Sequence, residues 1–169
     1  FLGPVTNKAG WKNALGIFGG GSLKMVPGGG LCQVSTTVYR AILYAGLPLS
    51  SRRSHSLYVK YYKDYGEGLD ATVFQGGQDL KFKNDTPSYL FMQAYDDGDD
   101  AYVKIYGTSD SRSTTLEGPY RTGNIPQYEI DRHDYKPRKN EIAWHRTVTK
   151  DDGEIIEEQI LSRYKSLPK

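Results

Sequence analysis

Cysteine is almost absent from this 169-residue chain: Cys32 stands alone, which excludes an internal disulfide and a Cys-rich zinc site. Long apolar runs are missing too. Nothing approaches the ~18 residues of a membrane-spanning helix, so no span is expected here, and an anchor or signal peptide is expected upstream of Phe1. Neither sign of charge dominates, with 22 Lys and Arg against 20 Asp and Glu. The charges are interspersed, so no nucleic-acid partner is expected, because that needs a basic stripe. Nucleotide fingerprints also fail: "GGGLCQ" puts Gln33 where a dinucleotide motif needs its third glycine, and no Gly-Lys-Ser/Thr is present for a phosphate loop. No cofactor and no metal are expected.

What the chain does contain is a change of period. Up to Gly30 it is glycine-dense, and "GIFGGGSLKMVPGGG" reads as two short extended pieces joined by turns, with Ile17, Phe18, Leu23, Met25 and Val26 in need of burial. Val34, Val38, Ala41, Ile42 and Ala45 then recur at helical spacing, predicting a helix over 32–45 that Gly46 and Pro48 stop. Beyond it the signals are antiparallel: "HSLYVKYY", "DATVF" and "DLKFK" around "QGGQ", then "PSYLFMQAY" and "AYVKIYG" around "DDGDD". The expected fold class is α+β, with one principal helix carrying Cys32 at its N-terminus and packed on an antiparallel sheet of about five strands. Residues 1–108 are expected to form the core domain, 109–125 a linker or loop, and 126–169 an extension. The extension's hairpin, "EIAWHRTVT" to "EIIEEQILSRY", must pack on the core or on another chain because a lone hairpin is marginal.

A cysteine in the first turn of a helix lies beside unpaired amides and the positive end of the helix dipole, both of which favour thiolate. Gly29 and Gly30 before it would let a substrate backbone approach and leave amides for a developing oxyanion, with Gln33 as a side-chain donor. The base must be one of His55, His133 and His145; His55 comes soonest after Cys32, and Asp70 is the best-placed carboxylate to orient it, ahead of Asp64 and Asp79. That order of elements is papain-like or transglutaminase-like. Arg52 and Arg53 would clamp a substrate carboxylate, and Tyr58, Tyr61, Tyr62 and Tyr65 would stack on a glycan. The opposing reading makes Cys32 a packing thiol, the arginines a solvated face and the tyrosines half-buried sheet residues.

"PGGGLCQVSTTVYRAILYAGLPL", "RRSHSLYVKYY", "GLDATVFQGGQDLKFKNDTP" and the closing "ILSRYKSLP" resemble the VanW family, extracytoplasmic bacterial proteins named from their occurrence beside vancomycin-resistance genes. The residues this resemblance marks are Gly28, Gly29, Gly30, Cys32, Gln33, Ser35, Thr36, His55, Ser56, Asp70, Asn84 and Thr86. It implies a place in the cell envelope and peptidoglycan or its stem peptides as partner, with Ser35, Thr36 and Ser56 joining the substrate-binding set. Leu69 stands where the family usually has arginine, and Arg52 and Arg53 are the candidates to replace it. The expected activity is thiol-dependent acyl transfer, as peptidase, amidase or transpeptidase, by Cys32 with His55, Asp70 and Gln33. The alternative is a noncatalytic envelope-binding or scaffolding module.

Overall fold

A computed structural model describes residues 4–18 and 22–168. The elements run β1 (Asn13–Phe18), β2 (Ser22–Pro27), α1 (Leu31–Tyr44), β3 (Leu49–Ser51), β4 (Lys81–Phe82), β5 (Phe91–Asp96), β6 (Ala101–Tyr106), β7 (Ser113–Tyr120), α2 (Gln127–His133), β8 (Glu141–Thr149) and β9 (Ile155–Arg163). The class is α+β. In place of one sheet of about five strands, the described residues form antiparallel pairs β1-β2, β3-β4 and β5-β6 and a three-stranded sheet β7-β8-β9.

Helix α1 lies within a residue of its expected bounds at both ends, but the buried face is turned. Ser35, Thr36, Tyr39, Ile42 and Leu43 are buried, whereas Val34 is exposed. The turn has a polar cause: Ser35 Oγ donates to Ala71 O at 2.6 Å, and Thr36 Oγ1 accepts from Ala71 N at 3.1 Å. The helix stops at Gly46, whose φ of +68° suits glycine, and a Cβ there would stand 2.8 Å from Thr114 Oγ1.

These bonds also explain the strands that do not form. In "DATVF" the Ala71 amide goes to Thr36 and the Thr72 amide to Arg53 O at 2.8 Å, so the extended segment is tied to α1 and to residue 53 instead of to a ladder. "HSLYVKYY" ends in a 3-10 turn over Lys60–Tyr65, closed by Gly66 at φ +112°, with Tyr62 buried. His55 and Asp70 therefore stand on irregular segments, and no papain-like or transglutaminase-like pair of adjacent strands carries them. Of the first-hairpin side chains expected to be buried, Leu23 and Met25 are exposed, Ile17 and Val26 are half-buried, and the Phe18 side chain lies outside the described residues.

Residues 109–125, expected as linker or loop, hold β7, which pairs with β8 from Ser113↔Thr149 to Tyr120↔Ala143. The C-terminal hairpin packs directly on the helix. Ile160 joins Tyr39, Leu43, Leu69 and Ala71 in the core, and buried Arg146 donates to Leu47 O at 3.2 Å, just past the C-terminus of α1 where a cation suits the dipole. Trp144 Nε1 donates to Glu67 O at 2.7 Å. The same hairpin thus reaches the segments that hold His55 and Asp70.

Candidate active site

Cys32 is the second residue of α1, in its first turn, and half-buried. Its Sγ lies 3.4 Å from Thr72 Oγ1 and 3.4 Å from Val73 O, and it lines one cleft with His55, whose ring bears on the ionisation of the thiol. The imidazole of His55 is buried and held from the other side: Nδ1 is 2.5 Å from Asp70 Oδ2, and the His55 amide donates to the same oxygen at 2.7 Å. With Nδ1 committed to the carboxylate, Nε2 is the nitrogen left to meet the thiol. Asp70 Oδ1 accepts from the Tyr164 hydroxyl and lies 3.6 Å from Arg52 Nη2. A line of side chains therefore runs Cys32, His55, Asp70, Tyr164.

The electrostatics follow from this chain of contacts. Burial alone opposes a thiolate at Cys32, but hydrogen bonding by His55 and Thr72 and the imidazolium charge outweigh it, and the thiol pKa falls below its ordinary value. Burial likewise opposes an imidazolium at His55; Asp70 and Cys32 override it and hold the ring's pKa at about 9. For Asp70, burial is countered by His55, Arg52 and Tyr164, and its carboxyl is held below the usual range. The shifts of both groups favour a thiolate–imidazolium pair, with the Asp70 carboxylate behind it. Cys32 is accordingly expected to alkylate with a midpoint below the ~8.5 of a free thiol, and His55→Ala to move that midpoint upward. Iodoacetamide labelling across a pH series checks this, and a wild-type midpoint that His55→Ala does not move would separate the two residues.

The pair opens on a cleft of about 1110 Å³, walled by Leu15, Ile17 and Leu23 of the first hairpin on one side and Tyr58, Tyr61 and Phe74 on another. Exposed Leu15 and Leu23 are thus cleft wall, while Met25 is not among the lining residues. Gln33 is exposed and lines the same cleft. The Cys32 amide donates to no backbone carbonyl among the described residues, as suits a first-turn N–H, and together with Gln33 it gives two candidate oxyanion donors.

The glycines divide. Gly28 and Gly29 commit their amides to Lys12 O and Val26 O, at 3.0 and 3.3 Å, and are not free donors. A Cβ on Gly29 would stand 2.3 Å from Ala14 O, so this glycine lets the hairpin backbone seat against the helix start; a Cβ on Gly30 meets nothing within 4 Å. Gly29→Ala is therefore expected to cost about 1–3 kcal/mol of stability through overpacking and Gly30→Ala almost none, measured by chemical denaturation. Equal losses would contradict the packing role.

Other expected substrate contacts are elsewhere. Ser35 and Thr36 are buried on the Ala71 backbone. Arg52 donates to Asp70 O at 2.7 Å, Gly68 O at 2.9 Å and Ser162 Oγ at 2.7 Å, so it braces the Asp70 segment instead of clamping a substrate. It also brings a guanidinium to Asp70 where Leu69, a core residue, cannot. Arg53 and Ser56 are exposed and are not among the cleft-lining residues. Tyr58 lines the cleft with its hydroxyl donating to Glu67. Asn84 and Thr86 close a local turn through an Oγ1···Oδ1 bond of 2.6 Å, and Asp79 pairs with Lys81 at 3.7 Å.

Two members of the site escaped the sequence reading. Thr72 was detectable, since an extended segment puts residues two apart on one face and Asp70 already faced the histidine. Tyr164 lies 94 residues from Asp70, and its only signal was its place in the closing motif.

Among known proteins, a family model described as "VanW like protein" matches residues 1–106. The chain is 33% identical over 126 residues to "Uncharacterized protein YoaR" of Bacillus subtilis (strain 168), covering 75% of this chain and 40% of that protein. It is 34% identical over 80 residues to "Vancomycin B-type resistance protein VanW" of Enterococcus faecalis (strain ATCC 700802 / V583), covering 46% of this chain and 29% of that one. The chain thus spans less than half the length of these relatives. No solved structure matches it significantly. Among the described residues no helix is long and apolar enough to cross a membrane.

Proposed function

The chain belongs to the VanW-like family, and from that premise we propose that it is a cell-envelope enzyme that transfers acyl groups through Cys32, acting on amide bonds of peptidoglycan stem peptides. The observation that carries this reading is the contact line Cys32–His55–Asp70 at the wall of an open cleft. A buried packing thiol would have neither an ionised imidazole beside it nor space in front of it.

The Cys32 thiolate attacks the amide carbonyl, and the oxyanion that forms is met by the Cys32 amide and the Gln33 side chain. His55 gives its Nε2 proton to the departing amine as the C–N bond breaks, leaving a thioester on Cys32 and a neutral imidazole. Water or an incoming amine then loses a proton to His55 as it attacks the thioester. Thiolate departs, and the starting ion pair is restored. Asp70 keeps Nδ1–H in place throughout and stabilises the imidazolium. The apolar hairpin wall and Tyr58, Tyr61 and Phe74 suit the aliphatic stretches of a peptide substrate better than a bare sugar. The name of the enterococcal relative, a vancomycin resistance protein, is consistent with an envelope substrate.

The test incubates the protein with defined stem peptides, with and without amine acceptors, and follows products and adducts by mass spectrometry. A mass increase on Cys32 equal to the acyl half of a peptide, with release of the amine half, is expected. No product and no adduct with any peptide would leave a binding module as the reading.

A further inference from the structure

A second cluster of ionisable side chains stands on the far part of the chain, within residues 127–147 and outside the stretch that the family model matches. Glu129 and His133 sit four apart on α2, which puts them on one face, and that face lies over His145 on β8. His133 Nε2 and His145 Nδ1 are 2.8 Å apart. Glu129 Oε2 is 3.7 Å from the first nitrogen and 3.9 Å from the second, beyond hydrogen-bond range of both. A buried carboxylate oxygen and two imidazole nitrogens thus converge on one point.

We propose that Glu129, His133 and His145 are the ligands of a single borderline divalent cation of the zinc class, a site that ties α2 to the β7-β8-β9 sheet.

The donor set suits that class of ion, which takes imidazole and carboxylate together and tolerates a fourth position filled by solvent. The geometry suits it as well. Tetrahedral ligands at ~2.0–2.1 Å from an ion stand ~3.4 Å from each other. The two rings would part by ~0.6 Å and the carboxylate oxygen close in by ~0.3–0.5 Å, shifts within side-chain reach. Without an ion the short N···N contact needs one proton between the two nitrogens; the cation takes its place, and that proton passes to the other nitrogen of the same ring.

The surroundings are those of metal ligands too. His145 Nε2 lies 2.9 Å from Thr147 Oγ1, and in the tautomer that donates to this hydroxyl the Nδ1 lone pair is left for the shared centre. Glu157 Oε1, 3.6 Å from the same Nε2, adds a negative charge behind the ring. Arg132 Nη1 holds Glu129 Oε1 at 2.7 Å, which fixes the carboxylate and presents Oε2 as the ligand oxygen. His145 and Glu129 are fully buried, and the His133 side chain keeps 13% exposure, which gives the ion its path in.

The experiment titrates Zn²⁺ into metal-stripped protein carrying Cys32→Ala, so that the thiol site cannot contribute, and reads heat and melting temperature. One equivalent is expected to bind, with a raised melting temperature. His133→Ala or Glu129→Gln added to that background should weaken binding by at least ~100-fold, more than the ~10–100-fold cost of losing an outer-shell partner. Thr147→Val should stay within that smaller range. Co²⁺ in place of Zn²⁺ should give the visible bands of a four-coordinate nitrogen–oxygen site. If His133→Ala loses its cooperative melt in chelator, Glu129→Gln and the Co²⁺ spectrum decide. Absence of saturable one-to-one binding, or binding that survives both ligand substitutions, overturns the proposal.

Discussion

Cys32→Ala is expected to abolish product formation from stem peptides altogether, to remove every covalent adduct, and to leave peptide binding within a few-fold of wild type. The separation follows from where the sulfur sits. It faces the cleft that Leu15, Leu23, Tyr58, Tyr61 and Phe74 line, and those residues, with Gln33, remain in place when the sulfur is gone. Truncating the half-buried thiol removes a small apolar volume from the first turn of α1, for which a loss of about 1 kcal/mol is the scale. It also removes a thiolate that supports the charge on His55. The imidazolium in Cys32→Ala is then held by Asp70 alone, so its pKa should fall from about 9 towards neutrality, readable from ring-proton shifts. Loss of chemistry with binding kept identifies a nucleophile. Lowered stability with nothing catalytic to lose, in a wild type that forms no adduct, identifies a packing residue.

Helix α1 and the candidates Cys32, His55 and Asp70 are legible in the sequence because each has a local cause: a helical period that begins after glycines, a thiol at that start, and a histidine and an aspartate in short motifs. What it hid depends on hydrogen bonds between distant parts of the chain. Ser35 and Thr36 look like substrate contacts in "CQVSTT", but their hydroxyls face Ala71 and turn the helix away from its most apolar stripe. Arg52 looks like an anion clamp, yet it is folded under Asp70 onto the carbonyls of Leu161 and Gly68. "DATVF" has strand residues without a strand, since its amides are taken by a helix side chain and a loop carbonyl. A periodicity argument sees which face a residue occupies and not which partner takes its backbone. For the same reason β7 does not stand out in the sequence: "STTLEGPY" alternates weakly, and it becomes a strand because β8 offers it a ladder.

Asp70→Asn should have the largest combined effect of any substitution in the molecule, slowing acyl transfer about 10³–10⁴-fold and costing about 3–5 kcal/mol of stability. The carboxylate answers four groups at once: the His55 ring, the His55 amide, the Tyr164 hydroxyl and the Arg52 guanidinium. An amide has the same shape and can accept on one side only. Its NH₂ must face either the His55 Nδ1–H, which reverses the ring's tautomer, or the Tyr164 hydroxyl and Arg52, which leaves a buried cation without its anion. Tyr164→Phe is the milder companion, keeping the charge and losing one bond to it, with about 1.5–3 kcal/mol at stake and a smaller loss of rate.

The pH dependence distinguishes the two changes. A carboxyl whose folded pKa lies below its unfolded ~3.9 contributes stability above that value and loses it as pH falls through the folded pKa. Wild type and Tyr164→Phe should both show that acid limb, and Asp70→Asn should show a shallower one, because Asp97, Asp110 and Glu141 are also held low. On the alkaline side His55, raised to about 9, contributes stability below its unfolded ~6.5 that is lost as pH rises towards 9. Cys32, lowered, gains stability over the range from its folded pKa to its unfolded ~8.5. Where the two ranges overlap the slopes cancel, because folding merely moves one proton from sulfur to nitrogen. Denaturant midpoints measured every half unit should therefore be flat through that overlap in wild type and should decline with rising pH in Cys32→Ala. In Asp70→Asn the His55 contribution shrinks along with the acid limb. An Asp70→Asn protein with wild-type labelling rate and an unchanged acid limb would mean that this carboxylate neither orients the imidazole nor ionises as its contacts require.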